Sequence, residues 1–121
     1  MRHNFKNLKI WILAMDITND IYKLTSSFPK SEIYSLASQM NRCSVSMPSN
    51  IAEGSNRENK HFQHYLNISL GSLFELQTQL LIAFQNEYLS KKQTEKIENK
   101  IIEFQKMTTS FISKLDNNLS S

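Results

Sequence analysis

His61 and His64 lie three residues apart, with Glu58 one turn earlier. On a helix, two imidazoles at that spacing share a face, and a carboxylate can complete a three-ligand metal site. The metalloprotease arrangement instead needs two histidines four apart around a glutamate, which is absent here, and no cysteine lies nearby. The pair therefore reads as polar surface histidines on a face rich in Gln and Asn, and no metal is expected. Cys43 is the single cysteine. It falls on an apolar stripe, where a thiol behaves as a small hydrophobe and lacks the base and the polar setting a nucleophile requires. Ser44, Ser46 and Ser49 sit in no strand–turn–helix elbow. With only two glycines in the chain there is no glycine-rich phosphate loop. These patterns predict neither an enzyme nor a bound cofactor.

The charged residues point elsewhere. The chain carries 14 Lys and Arg against 11 Asp and Glu, a net charge of +3. The whole excess sits before residue 58, which is compatible with a polyanionic partner. Arg42, Arg57 and Lys60 form one basic group by sequence, and Lys91, Lys92, Lys96 and Lys100 form a second. The last three are in consecutive i, i+4 steps, where like charges destabilise a helix and oppose its N-terminal dipole. A phosphate backbone would relieve that conflict and meet the free N–H groups of the first turn. Arg42, Arg57, Lys60, Lys92, Lys96 and Lys100 are accordingly the candidate nucleic-acid contacts.

Those groups have to be placed by helices. Two prolines and two glycines are too few breakers for an all-β chain of 121 residues. Apolar residues recur by threes and fours, and they predict one all-α domain with helices over about residues 8–25, 31–53, 58–87 and 91–116. Ile10, Leu13, Ala14, Ile17, Ile21 and Leu24 line the first, with Pro29 just beyond its end and Ser31 and Glu32 opening the second. Ile33, Leu36, Ala37, Met40, Cys43 and Met47 point inward from the second. Pro48 is expected to end or kink that helix, and Gly54 to supply a left-handed cap. The third carries Phe62, Leu66, Ser69, Leu70, Leu73, Leu76, Leu80, Ala83 and Phe84, and Gly71 in its middle suggests a close helix crossing. In the fourth, Ile97, Ile101, Phe104, Thr108, Phe111 and Leu115 form a bundle seam, and Asn117 to Ser121 are expected to fray. Short links make successive helices antiparallel, giving an up-down-up-down four-helix bundle. No apolar run approaches the ~20 residues that span a bilayer. Ile10 to Ile17 is short and contains Asp16, so no secretory signal is read there, and the lone cysteine fits a reducing cytoplasm.

Between Gln39 and Gly54 small and polar residues dominate a helix that should prefer better formers: Gln39, Asn41, Ser44, Ser46, Ser49, Asn50 and Glu53. Such side chains can hydrogen-bond across helices, bond the backbone near Pro48, or line a subunit interface. The stretch also matches, at every fixed position, the pattern Q-x-x-R-x-x-x-S-x-x-x-N-I-A-E-G. It resembles the signature of a bacterial four-helix-bundle family whose founding members are encoded within intervening sequences of the large-subunit ribosomal RNA gene. Leu8 to Trp11, Tyr22 to Pro29, Phe62, Tyr65-Leu66, Gly71 to Leu76 and Gln79-Leu80 extend the likeness over most of the chain. The resemblance implies an up-down bundle assembling as a ring-like homopentamer. One relative, the accessory protein of diversity-generating retroelements, binds nucleic acid and a reverse transcriptase through a basic surface. Carried over, Arg42 is the matched basic position, while Gln39, Ser46, Asn50, Glu53 and Gly54 match structural positions. The expected function is a non-enzymatic homo-oligomer that binds nucleic acid, above all structured RNA. The alternative is a scaffold that docks a partner enzyme such as a reverse transcriptase.

Overall fold

The structure, a computed structural model, describes residues 4–120, with side chains as far as Asn117. Among the described residues there are four α-helices and no strand: α1 (Lys9–Thr25), α2 (Leu36–Ser55), α3 (Asn59–Gln85) and α4 (Lys91–Ser120). Short 3-10 turns at Phe5–Asn7 and Lys30–Glu32 precede α1 and α2. Each helix packs on its neighbours in sequence, and α4 closes the ring against α1. Cross-helix pairs run in opposite directions along the α1–α2, α2–α3 (Cys43 with Ser72, Met47 with Ser69) and α3–α4 seams. Thr18 reaches Ser44 while Thr25 reaches Asn41, and Gln77 meets Glu98 while Gln63 meets Asp116. The helices are therefore antiparallel, up-down-up-down.

The predicted stripes form the core, except that Phe84 at the end of α3 is exposed. Ile17, Ile21, Met40, Met47, Ile51, Phe62, Leu66, Leu73, Leu76, Leu80, Ile101 and Phe104 are all buried. Ile33 departs from expectation and is half exposed, because α2 begins three residues later. Ser31 and Glu32 lie in the 3-10 turn and do not open α2; Glu32 instead accepts a hydrogen bond from the Tyr88 hydroxyl at 3.1 Å. The start of α4 carries a reciprocal cap. The Ser90 hydroxyl accepts from the Gln93 N–H at 3.0 Å, and the Gln93 side-chain Oε1 accepts from the Ser90 N–H at 2.9 Å. The fourth helix runs on to Ser120, past the expected end, so the fraying expected of the last residues falls largely on side chains outside the described ones.

The helix breakers behave differently from their local reading. Pro48 does not end α2, which continues through it to Ser55. Lacking an N–H, Pro48 leaves the carbonyl of Ser44 without its helical donor, and Ser44 is fully buried. The hydroxyl of Thr18 on α1 supplies that donor, 3.0 Å from the Ser44 oxygen and shared with the Ala14 carbonyl at 2.8 Å. Gly54 takes no left-handed conformation and lies inside the last turn of α2. Its role is contact: a Cβ there would sit 2.7 Å from the Tyr65 Cβ and 2.9 Å from Phe62 Cδ1. Gly71, where a close crossing was expected, is exposed, and a Cβ there would meet nothing within 4 Å. The left-handed cap occurs instead after α3, at Glu87 with φ of 65°. The Glu87 N–H bonds the Phe84 carbonyl and the Tyr88 N–H bonds the Ala83 carbonyl, each at 3.0 Å.

Candidate nucleic-acid interface

The signature stretch occupies α2 and splits by function. Its inner polar side chains form the seam with α3. Ser46 and Ser72 share a hydroxyl hydrogen bond of 2.8 Å, and the Asn50 amide donates to the Ser46 carbonyl at 2.8 Å and its hydroxyl at 3.0 Å. Ser69 donates to the Met47 carbonyl at 3.0 Å, and the Cys43 thiol donates to the Ser72 carbonyl at 2.9 Å. Polar groups drawn into a helix seam must be partnered, and these small, partly buried side chains partner one another while letting the backbones approach. Burial first, and the charge of Glu75 second, push the Cys43 thiol up to about 11 against a hydrogen bond from the Leu76 backbone. At neutral pH that thiol stays protonated and makes a poor nucleophile.

The outer residues face solvent. Gln39 and Arg42 line a groove of about 310 Å³ with Cys43, Ser46, Ser72, Glu75 and Gln79. Gln79 is buried there with its Oε1 unpartnered. A phosphate approaching Arg42 would therefore also meet the carboxylate of Glu75. Glu53 holds Arg57 at the far end of α2: their side chains pair at 2.9 Å, and the guanidinium lies 5.1 Å over the Tyr65 ring.

The basic residues grouped by sequence are redistributed in space. Arg42 lies early in α2 and Arg57 just past its C-terminal end at Ser55, so roughly 20 Å of helix at 1.5 Å per residue separates them and they make no common cluster. Lys60 opens the neighbouring α3 and is exposed beside the Arg57 end. Lys100 is largely withdrawn. Its ammonium pairs with Asp16 at 2.7 Å and Asp20 at 2.6 Å, and its side chain is 24% exposed. Burial acts to lower its pKa, but the hydrogen bonds and charges of the two aspartates outweigh that and hold the ammonium above the ordinary lysine value. Lys92 and Lys96 remain exposed, and neither joins an ion pair among the described residues. Lys96 shares a groove with Lys23 from the end of α1, along with Asp20, Leu24, Gln93 and Ile97. Lys23 was not singled out because nothing local in sequence links it to α4; only the antiparallel α1–α4 packing brings it there. The free N–H groups expected at the start of α4 are partly taken by the Ser90–Gln93 cap.

His61 and His64 are both exposed, and among the described residues no group of three or more His, Cys, Asp or Glu is placed to hold a metal ion. Among the same residues no helix is long and apolar enough to cross a membrane.

Residues 6–110 match the family described as 23S rRNA-intervening sequence protein. No curated protein is similar enough in sequence to count as a relative. Among solved structures, a protein of unknown function from the S23 ribosomal protein family of Bacteroides thetaiotaomicron superposes with a TM-score of 0.79. It is 24% identical, and the alignment covers 86% of this chain and 95% of that one, a likeness that fixes the fold. With the match spanning most of the chain and the signature stretch complete on α2, this protein belongs to the 23S rRNA-intervening sequence protein family.

Proposed function

We propose that the protein is a non-enzymatic, homo-oligomeric, cytoplasmic nucleic-acid-binding protein that grips structured RNA through phosphate contacts at the Lys23–Lys92–Lys96 end of the bundle. The observation that carries the reading is that Lys92 and Lys96 are exposed and carry no ion pair among the described residues, and that Lys96 lines a groove with Lys23. Unpaired ammonium groups on a rigid helix suit sequence-independent phosphate binding, in which released counterions drive association. The family description ties these proteins to an intervening sequence of 23S rRNA, which favours RNA as the nucleic acid. Arg42 and Lys60 are secondary contacts, and Arg57 and Lys100 act within the fold. Self-association is supported by an apolar stripe on the outward face of α3, where Ile68, Phe74, Leu81 and Ile82 are each more than a third exposed around Gly71. A stripe of that kind is also what a protein-docking scaffold would present.

Binding to an RNA hairpin across a salt series separates the two readings. Three phosphate contacts give a slope of log K against log salt of about −2.7 on a duplex, and removing one contact reduces it by about 0.9. Lys92→Glu with Lys96→Glu should lower affinity while leaving helicity intact. Binding that ignores both salt and these substitutions would overturn the phosphate reading in favour of the scaffold.

A further inference from the structure

We propose that the groove between the start of α1 and the second half of α4 is a docking site for an acidic amphipathic helix of a partner protein. It lies at the opposite end of the α1–α4 pair from Lys23 and Lys96, so it goes beyond the RNA reading and does not depend on it. The groove holds about 570 Å³ and is open to solvent. Its floor is apolar: Ile10 is buried, and Leu8, Met107 and Phe111 are half-buried against the core. Its rim is basic, with Lys9 from α1 and Lys106 and Lys114 from α4. All three are exposed, none takes part in an ion pair among the described residues, and no carboxylate lines the groove. The N-terminus of α1 adds to the positive field, since it has no side-chain cap and no acid in its first turn.

The two properties together select the occupant. A phosphate backbone would satisfy the rim but leave the apolar floor wet. A single acyl chain would lie half in water along an open groove. A second copy of this chain would bring the apolar stripe of α3, but α3 contains one carboxylate, Glu75, and would leave two lysines unmatched. A helix with apolar residues at i, i+3 or i+4 and i+7, flanked by Asp or Glu, answers both demands. Lys106 and Lys114 stand roughly 12 Å apart along the α4 axis, which matches carboxylates about two turns apart on the incoming helix.

The test uses the full chain and an 18-residue fluorescent peptide with leucines in that register and glutamates flanking them. Two controls change one property each: Gln for Glu, or Ser for Leu. Fluorescence anisotropy should show micromolar binding that weakens at least ~10-fold for either control peptide and for the Lys106→Glu, Lys114→Glu variant. Lys92→Glu with Lys96→Glu should leave peptide binding unchanged, and circular dichroism should show all variants folded. No binding, or equal binding to the Gln control or the Lys106→Glu, Lys114→Glu variant, overturns the proposal. So does displacement of the peptide by dodecanoate or an RNA hairpin at comparable concentration. A changed oligomer size in the Lys106→Glu, Lys114→Glu variant by light scattering assigns the groove to a second copy instead. Because the RNA reading is tested through Lys92 and Lys96, either proposal can fail alone.

Discussion

The bond from Thr18 to Ser44 is the point at which the proline in α2 can be tested quantitatively. Thr18→Val keeps the shape of the side chain and removes the donor. The Ser44 carbonyl is then buried with no partner, because Pro48 has no N–H to give. Leaving a buried acceptor unsatisfied costs about 1–3 kcal/mol. The Ala14 carbonyl, which shares the hydroxyl, keeps its own helical donor, so the loss should fall on Ser44. Pro48→Ala restores an N–H at the correct position for that carbonyl. In the Pro48→Ala background, Thr18→Val should therefore cost much less, leaving a coupling of about 1–2 kcal/mol between sites on different helices. Urea unfolding followed at 222 nm for the four proteins of the cycle measures it, with protein concentration held fixed because self-association shifts apparent stability. The m-value should stay constant across the cycle. A Thr18→Val cost that is the same in both backgrounds, within about 0.5 kcal/mol, would refute the assignment of Thr18 as the donor that Pro48 lacks.

Other perturbations follow from particular contacts. Gly54→Ala forces a methyl into the Tyr65 and Phe62 contact and should destabilise by about 1–3 kcal/mol in urea unfolding, whereas Gly71→Ala meets open space and should stabilise by about 0.5–1 kcal/mol. Lys100→Met leaves Asp16 and Asp20 unpaired across the α1–α4 seam and should cost about 1–2 kcal/mol at neutral pH, given partial exposure. The folded pKa of Lys100 is raised, so its contribution is complete below the unfolded lysine value and fades as pH rises through the folded one. As pH rises from neutral, the stability difference between wild type and Lys100→Met should begin to shrink above about pH 10.5. Cys43, held protonated by burial, should react with a disulfide reagent at pH 8 far more slowly in the folded protein than in urea; equal rates would place it outside the core. Glu87→Gly relieves a left-handed residue and should raise stability by about 0.5–1 kcal/mol.

The helices were legible because their signal is local. The threes and fours of Ile10 to Leu24 or of Phe62 to Ala83 declare a buried face without reference to any other part of the chain. What each breaker does was not legible, because that depends on a neighbouring helix. Gly54 and Gly71 look alike in sequence, yet Tyr65 stands over one and nothing stands over the other. Pro48 looks like a stop until Thr18, thirty residues earlier, is seen to supply the missing donor. The charges failed in the same way. Lys92, Lys96 and Lys100 are equivalent along α4, and only α1 distinguishes them, by presenting Asp16 and Asp20 to one and Lys23 to another. The Ser90–Gln93 cap, by contrast, is local: a serine followed three residues later by a glutamine is enough to declare it.

The position of the Lys100 triad also bears on how the proposed surfaces relate. Asp16, Asp20 and Lys100 occupy the middle of the α1–α4 seam, with Lys23, Lys92 and Lys96 toward one end and Lys9, Lys106 and Lys114 toward the other. Lys96 and Lys106 are ten residues apart on one helix, roughly 15 Å, and Lys96 and Lys114 roughly 27 Å. The screening length at physiological salt is about 8 Å, so neither end feels much of the other's field, and the carboxylates between them weaken it further. A net charge of +3 on so small a chain is thus a poor guide to its surface, because it averages two positive ends over a paired middle. Electrostatic independence makes a sharp demand. Charge reversals at Lys92 and Lys96 and at Lys106 and Lys114, combined in one protein, should change RNA binding and peptide binding by the sum of their separate effects to within about 0.5 kcal/mol. A larger interaction would mean that the two ends communicate through the packing of α4 on α1, and that the bundle transmits occupancy of one partner site to the other.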